Sequence, residues 1–424
     1  MLVAENYSKK YTLLLLFILL LPSKRSYLYF GCVSLLSLVF LDCKKIQINV
    51  FSKLFAILFF YVFFTAGVRY FTTFTPNIRD FMEAFRFVPS LLIFLSIYKW
   101  GKIKLKNYID ASFIYILLDA IVSYMQSKSM NILGILDLIK NLYNSDNHFE
   151  ISFLMDHRIL GLSSGPGQHG TLIYFLLTVM FTTFFIYEER KKVSFFGTVI
   201  AFFIIVSSQS RTALVATIIV IFLFIFFNVL KGNLKQRMFS ITLSSLIIVL
   251  IPTVIKYLEK FSYLFALFTN GTNISSYSAR ENKWMEIINL TFEKPEWLLI
   301  GHGKDFFGMD SRAMDSEYIY IYSVYGLPFL SIMLVLLLFF WIRSIKEWKY
   351  TSPFLKILFF ITIGGAIISY TSAFFSDPKI LTITSLLICS EYFRKQYPDD
   401  SEKVSRPVIE KRTSIVSKFD SIKV

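Results

Sequence analysis

Apolar residues run continuously along much of this chain rather than alternating with polar ones. Stretches such as Tyr11–Leu21, Phe195–Val206 and Ile332–Trp341 are separated by short charged clusters. A run of this kind, long enough to cover the hydrocarbon core of a bilayer, predicts a membrane-crossing helix. The runs predict spans near 11–22, 27–41, 54–68, 81–98, 107–125, 170–187, 193–207, 212–230, 238–257, 317–341, 354–373 and 380–393. An outer-membrane barrel is not expected, because its strands alternate apolar and polar positions over about 10 residues. The expected fold is therefore an all-α polytopic membrane protein of about twelve transmembrane helices. Residues 1–393 form its single membrane domain, and 394–424 a basic, disordered cytoplasmic tail. The first run is followed by Pro22-Ser23-Lys24-Arg25, which lacks a small-x-small cleavage site, so it reads as a span rather than a removable leader.

Composition sharpens this picture. Of 424 residues, 55% are hydrophobic and 17% charged, and mean hydropathy is +0.58, which excludes soluble and disordered classes. A net charge of +15 would suggest nucleic acid in a soluble protein, but here the basic residues sort by loop. Lys99, Lys102, Lys104 and Lys106 follow span four, and Arg190, Lys191 and Lys192 follow span six. Lys231, Lys235 and Arg237 follow span eight, and Arg343, Lys346 and Lys349 follow span ten. Short basic loops stay cytoplasmic, which predicts cytoplasmic termini and two long outward loops, near 126–169 and 258–316. Lys24-Arg25 is the one discordant short loop. Cys32 and Cys389 fall in spans and Cys43 at the end of one, without metal-ligand spacing.

The chemistry-bearing residues gather on the outward side. All four histidines (His148, His157, His169 and His302) lie in the two long loops. So do the glycine clusters around Gly161, Gly165, Gly167 and Gly170, and around Gly301 and Gly303. Loops this long without structure of their own are usually functional. Three constellations stand out. In Ser207-Ser-Gln-Ser210-Arg211, Ser210 is the expected N-cap and Arg211 falls in the first turn of span eight. An arginine there disfavours the helix by itself, and a bound anion offsets it; an interfacial arginine reaching to head groups is the alternative. In Ser278-Ala-Arg280-Glu281-Asn-Lys283-Trp284, Ser278 and Glu281 have capping-box spacing. This predicts a loop helix with Arg280 in its first turn, ended by Pro295, although a solvated surface arginine fits as well. The third, Asp315-Ser316-Glu317-Tyr318 through Tyr325-Gly326, leads into span ten, with Asp315 readable either as an N-cap or as a general base. Its tyrosines suit an interfacial aromatic belt or stacking on sugar rings.

Charges also fall inside spans. Glu83 and Arg86 are three apart on one helix face, and Asp110 and Asp119 lie in span five. Such residues read either as functional or as structural ion pairs. His169 and His302 lack metal-ligand spacing to one another, so no metal site is expected.

In order and location, the three constellations resemble the bacterial O-antigen polymerase (Wzy) and O-antigen ligase superfamily. The matching features are Ser210-Arg211 at a span start, then Ser278-Ala-Arg280-Glu-Asn-Lys-Trp284. The Gly301-His-Gly303 turn and Asp315 to Gly326 complete them. The resemblance covers roughly 160–345 by motif. It implies a cofactor-free, metal-independent glycosyltransferase of GT-C-like membrane architecture in the bacterial inner membrane, with its active site on the periplasmic side. Its substrates would be oligosaccharide repeat units on undecaprenyl diphosphate. Membrane lipids, a chain-length regulator and a flippase would be its partners, and nucleic acid would not. Carried over, Arg211 and Arg280 hold the diphosphate, with Arg158 as a third candidate. The base is Asp315, Glu317 or His302, and His169, Arg86 and Asp119 are secondary candidates. Ligases carry a His-Asn pair where this chain has Asp315-Ser316, which favours polymerase. A ligase-like transferase and a flippase or transporter for the same glycan remain alternatives.

Overall fold

The computed structural model describes residues 2–245, 275–304 and 316–397, apart from short omissions at 43–44, 74–77, 147, 156, 188, 233, 235–236, 243, 294 and 349–350. Every regular element among the described residues is helical. In chain order they are α1 Leu2–Leu20, α2 Ser26–Val39, α3 Val50–Thr73, α4 Ile78–Ala84, α5 Val88–Leu95, α6 Ile97–Trp100 and α7 Leu105–Ser127. There follow α8 Ile135–Leu142, α9 Pro166–Ile186, α10 Lys191–Ser208 and α11 Arg211–Lys231. The last are α12 Ser275–Glu293, α13 Glu296–Ile300, α14 Glu317–Tyr325, α15 Leu327–Lys346, α16 Pro353–Ile368 and α17 Pro378–Gln396. Six of these (α3, α7, α9, α10, α11 and α15) are long and apolar enough to cross a membrane, and α2 and α16 are shorter apolar helices. The architecture is that of a helical membrane protein.

Helix α9 is the centre. It is buried along most of its length, and α7, α10, α11 and α16 pack about it. Two of its threonines, Thr178 and Thr183, donate to Tyr174 O and Val179 O, which lets these two be buried with their hydroxyls satisfied. In lipid, helices associate through close packing and interhelical hydrogen bonds rather than through apolar burial. Tyr174 supplies both, donating to Phe360 O at 2.8 Å across a contact where a Cβ at Gly364 would collide with its hydroxyl. Ser90–Ser385, Tyr108–Ser390 and Thr183–Ser194 pair similarly, at 2.8, 2.9 and 3.0 Å.

A second, smaller apolar cluster joins Val62 of α3, Ala84 and Phe87 beside α4, and Ile321, Val324, Tyr325 and Phe329 of α14 and α15. By contrast α15 is little buried along its length, so that helix is open to the surroundings.

Two expected spans are interrupted. The fourth divides into α4, a 3-10 turn at Phe85–Phe87, α5 and α6. Pro89 explains the first break: it has no N–H for Phe85 O and its ring crowds that carbonyl. Val88 N–H bonds Phe85 O instead, tightening the turn. The tenth breaks at Gly326, whose φ of +87° favours glycine and separates α14 from α15. The loop expected at 126–169 carries α8 and a π-helix at His148–Met155. The ninth expected span lies largely outside the described residues.

Side-chain contacts tie the connections together in two groups. Among the basic connections, Arg190 pairs with Asp110 at 3.1 Å and the Tyr11 hydroxyl donates to Lys99 O at 3.0 Å. At the long-loop end, the Tyr143 hydroxyl donates to Leu20 O at 2.5 Å and Lys24 pairs with Asp146 at 3.7 Å.

Candidate functional site

The turn between α16 and α17 organises the long-loop end, and Glu317 holds it. The Glu317 carboxylate is buried and accepts the Ser369 hydroxyl at 2.7 Å and the backbone N–H groups of Phe374 and Phe375 at 2.8 Å and Ser376 at 2.5 Å. Its own N–H donates to Ser369 O at 2.9 Å. With four donors the carboxylate's lone pairs are occupied, so Glu317 is built as a clamp and not as a base open to a substrate hydroxyl. The N-cap of α14 is Ser316, where the sequence suggested Asp315; Asp315 lies outside the described residues.

Helix α12, which carries Arg280, and the start of α9, on which Ser210 packs, both meet this turn. Arg211 occupies the first position of α11, as expected. Ser210 takes the N-cap position but makes no side-chain cap bond. It packs instead on Gly170 at the start of α9, where any Cβ would strike it. Three residues earlier, a Cβ at Gly167 would sit 3.6 Å from Ser372 Oγ of the turn. From the other side, Trp284 of α12 meets Tyr370 of the turn edge to face, with ring centroids 5.4 Å apart. Helix α12 therefore docks on the same turn, carrying half-buried Arg280 one turn before Trp284. It begins at Ser275, three residues before the expected cap, so Ser278 is interior and Arg280 lies beyond the first turn. A serine followed by an acid three residues later marked a helix but misplaced its start.

His302 sits between Gly301 and Gly303, whose φ angles are +70° and +86°. Its N–H donates to Ser323 O at 2.5 Å, and its ring stands edge-on to Trp297, with centroids 4.1 Å apart. The Thr291 hydroxyl gives its hydrogen to Ile287 O at 2.8 Å, so at 2.7 Å it accepts from His302 Nε2–H. The Gly-His-Gly turn is pressed onto the rest of the protein. A Cβ at Gly301 would meet Val324 O, and one at Gly303 would meet the Asp80 carboxylate. Helix α3 fastens it: Tyr61 donates to Leu299 O and Tyr325 O at 2.8 and 3.0 Å, and Arg69 to Ile300 O and, at 3.3 Å, to Asp80.

His169 and Asp119 pair with one another, Nε2 to Oδ2 at 2.7 Å, wholly buried. His169 Nδ1 faces Ile159 O at 3.2 Å. Asp119 Oδ1 accepts Leu162 N–H at 2.9 Å, and Gln126 Oε1 accepts the N–H groups of Leu160 and Gly161 at 3.1 and 2.9 Å. Their bonds shape the 159–163 segment, so these secondary candidates support a loop. Arg158, half-buried, begins that segment, its N–H on Ser152 O at 2.9 Å.

Glu83 and Arg86 do share a face, 2.8 Å apart. Lys304 pairs with the same carboxylate, which also accepts from the hydroxyls of Tyr27, Tyr325 and Tyr320 at 2.7, 2.7 and 2.9 Å. Lys304, Tyr27, Asp80 and Arg69 went unmarked in the sequence. Only the place of Lys304, directly after the Gly-His-Gly turn, hinted at a role.

No protein-family model matches this chain, and no curated protein does.

Proposed function

We propose that this chain is an O-antigen polymerase that moves a growing glycan from undecaprenyl diphosphate onto the next lipid-linked repeat unit. One observation carries the reading: helix α12, with Arg280, and the N-terminus of α9, which abuts Ser210-Arg211, both pack on the Glu317-clamped turn. Such transfer needs positive charge where the diphosphate departs and a base for the acceptor hydroxyl. Arg211 and Arg280, with Arg158 from the neighbouring loop, take the diphosphate oxygens, whose geometry suits a guanidinium fork. As the acceptor oxygen attacks the anomeric carbon, the bond to the diphosphate breaks and its electrons pass to the leaving oxygen. The acceptor proton goes to His302 or Asp315, while Glu317 positions the turn.

In this reading the protein has about twelve spans in a GT-C-like arrangement in the bacterial inner membrane. The termini are cytoplasmic and the long-loop end is periplasmic, consistent with the basic short connections. Its partners are the lipid-linked repeats, with a chain-length regulator and a flippase of the same pathway. Interrupted α4–α6, with buried charge beside it, is the feature that favours a transporter instead.

Deleting the gene and inspecting surface glycan by gel separates these readings. A polymerase mutant displays one repeat unit on its anchor, and a ligase mutant accumulates unattached polymer. A flippase mutant exports no repeat. Either of the last two outcomes rejects the proposal.

A further inference from the structure

The cluster around Glu83 is unevenly satisfied. The carboxylate accepts from Arg86, Lys304 and three tyrosine hydroxyls, and has no lone pair to spare. Arg86 is the reverse. Its side chain is 8% exposed, and its bonds all leave from Nη2, to Glu83 Oε2 at 2.8 Å and the Tyr320 hydroxyl at 3.4 Å. Nε and Nη1, which carry three of the five N–H donors of a guanidinium, are buried with no acceptor among the described residues. Arg69, Arg86 and Lys304 face Asp80 and Glu83. A buried cation with open donors is held at a large desolvation penalty, which an anion supplying acceptors would remove. The backbone is suited to such a site, because Arg86 lies in the 3-10 turn that Pro89 forces into the broken helix. Beside it, Lys304 is 26% exposed.

From this we infer that Arg86, backed by Lys304, is a binding site for an oxyanion, phosphoryl or carboxylate, separate from the site built on Arg211 and Arg280. A polyprenyl diphosphate head group and an acidic sugar both present that chemistry. Glu83 is then the internal competitor that holds Arg86 in place until the ligand's oxygens reach Nε and Nη1. The inference does not rest on the polymerase reading: a flippase phenotype would leave it standing.

The test uses the full chain in phosphatidylcholine nanodiscs, carrying Arg211→Gln and Arg280→Gln so that the other proposed site is silent. Thermal unfolding is followed while pyrophosphate or glucuronate is titrated. At least one probe should raise the midpoint saturably, and which one does so identifies the phosphoryl or the carboxylate source. Adding Glu83→Gln should tighten binding about tenfold, because it removes the competing charge and keeps an acceptor for the tyrosines. Arg86→Lys, which retains the charge and the Glu83 pair, should weaken binding about tenfold. The neutral pair Glu83→Gln with Arg86→Gln should abolish binding. No response to either probe, Glu83→Gln binding that is unchanged or weaker, or Arg86→Lys binding equal to the parent would each overturn the inference.

Discussion

Trp284 stands edge to face against Tyr370 at 5.4 Å, and through this contact the helix bearing Arg280 is seated on the turn that Glu317 holds. An aromatic pair of this kind contributes about 0.5–1.5 kcal/mol beyond its burial. Trp284→Ala should therefore undock α12 and shorten surface glycan as severely as Arg280→Ala. The double variant should be no worse than either single one, because Trp284 acts by seating the helix that carries Arg280. Additive losses in a glycan-ladder assay would separate Trp284 from Arg280 function.

Arg211→Ala should leave the protein folded and abundant yet slow polymerisation by about 10²–10³, the usual effect of removing one charge-stabilising donor. Arg211→Lys should recover only part of the loss, since an ammonium lacks the bidentate fork. Full chain length with Arg211→Ala would remove Arg211 from the site.

Glu317→Gln should act through folding. Replacing a carboxylate that accepts four bonds with an amide turns an NH2 group toward N–H donors. Hydrogen bonds to a charged group contribute about 1.5–3 kcal/mol each, so a loss of about 3–5 kcal/mol is expected, as for breaking a buried charged contact. The measurement is a lowered unfolding temperature with loss of membrane-resident protein. A stable but inactive Glu317→Gln protein would instead mark Glu317 as the base.

Asp119→Asn and His169→Ala should each destabilise by about 1–3 kcal/mol and open the 159–163 segment to protease. In a double-mutant cycle the two should couple, because one hydrogen bond joins them. Independent effects would contradict the pairing.

Gly303→Ala should be among the most damaging small substitutions. It places a Cβ against the Asp80 carboxylate at a φ of +86° and so lifts Lys304, whose N–H bonds Asp80 at 2.7 Å. Reduced glycan polymerisation with lowered stability is the expected readout.

The apolar helices were legible because a bilayer demands a run of one residue class and little else. Arg211 was legible too, since a cap and a first turn are set by adjacent residues. Pro89 stood in plain view inside the fourth span, and the break there follows from local chemistry alone. The role of Glu317 was not readable, because its donors arrive from residues 52 to 59 positions away. The same holds for Lys304, whose partner Glu83 is 221 positions distant. Local rules placed Arg211 but misplaced the start of the helix that carries Arg280, and long-range hydrogen bonding decided which carboxylates are held in structural contacts.

The break at Gly326 has a mechanical consequence. On one side of it, α14 is tied down by Glu317, by the Tyr318 hydroxyl on Ala366 O at 2.7 Å, and by Tyr320 and Tyr325 on Glu83. On the other side, α15 presents almost its whole length outward. A mismatch with bilayer thickness can be met by helix tilt, and Gly326 is the place where α15 can change its tilt while α14 and the charged cluster keep their contacts.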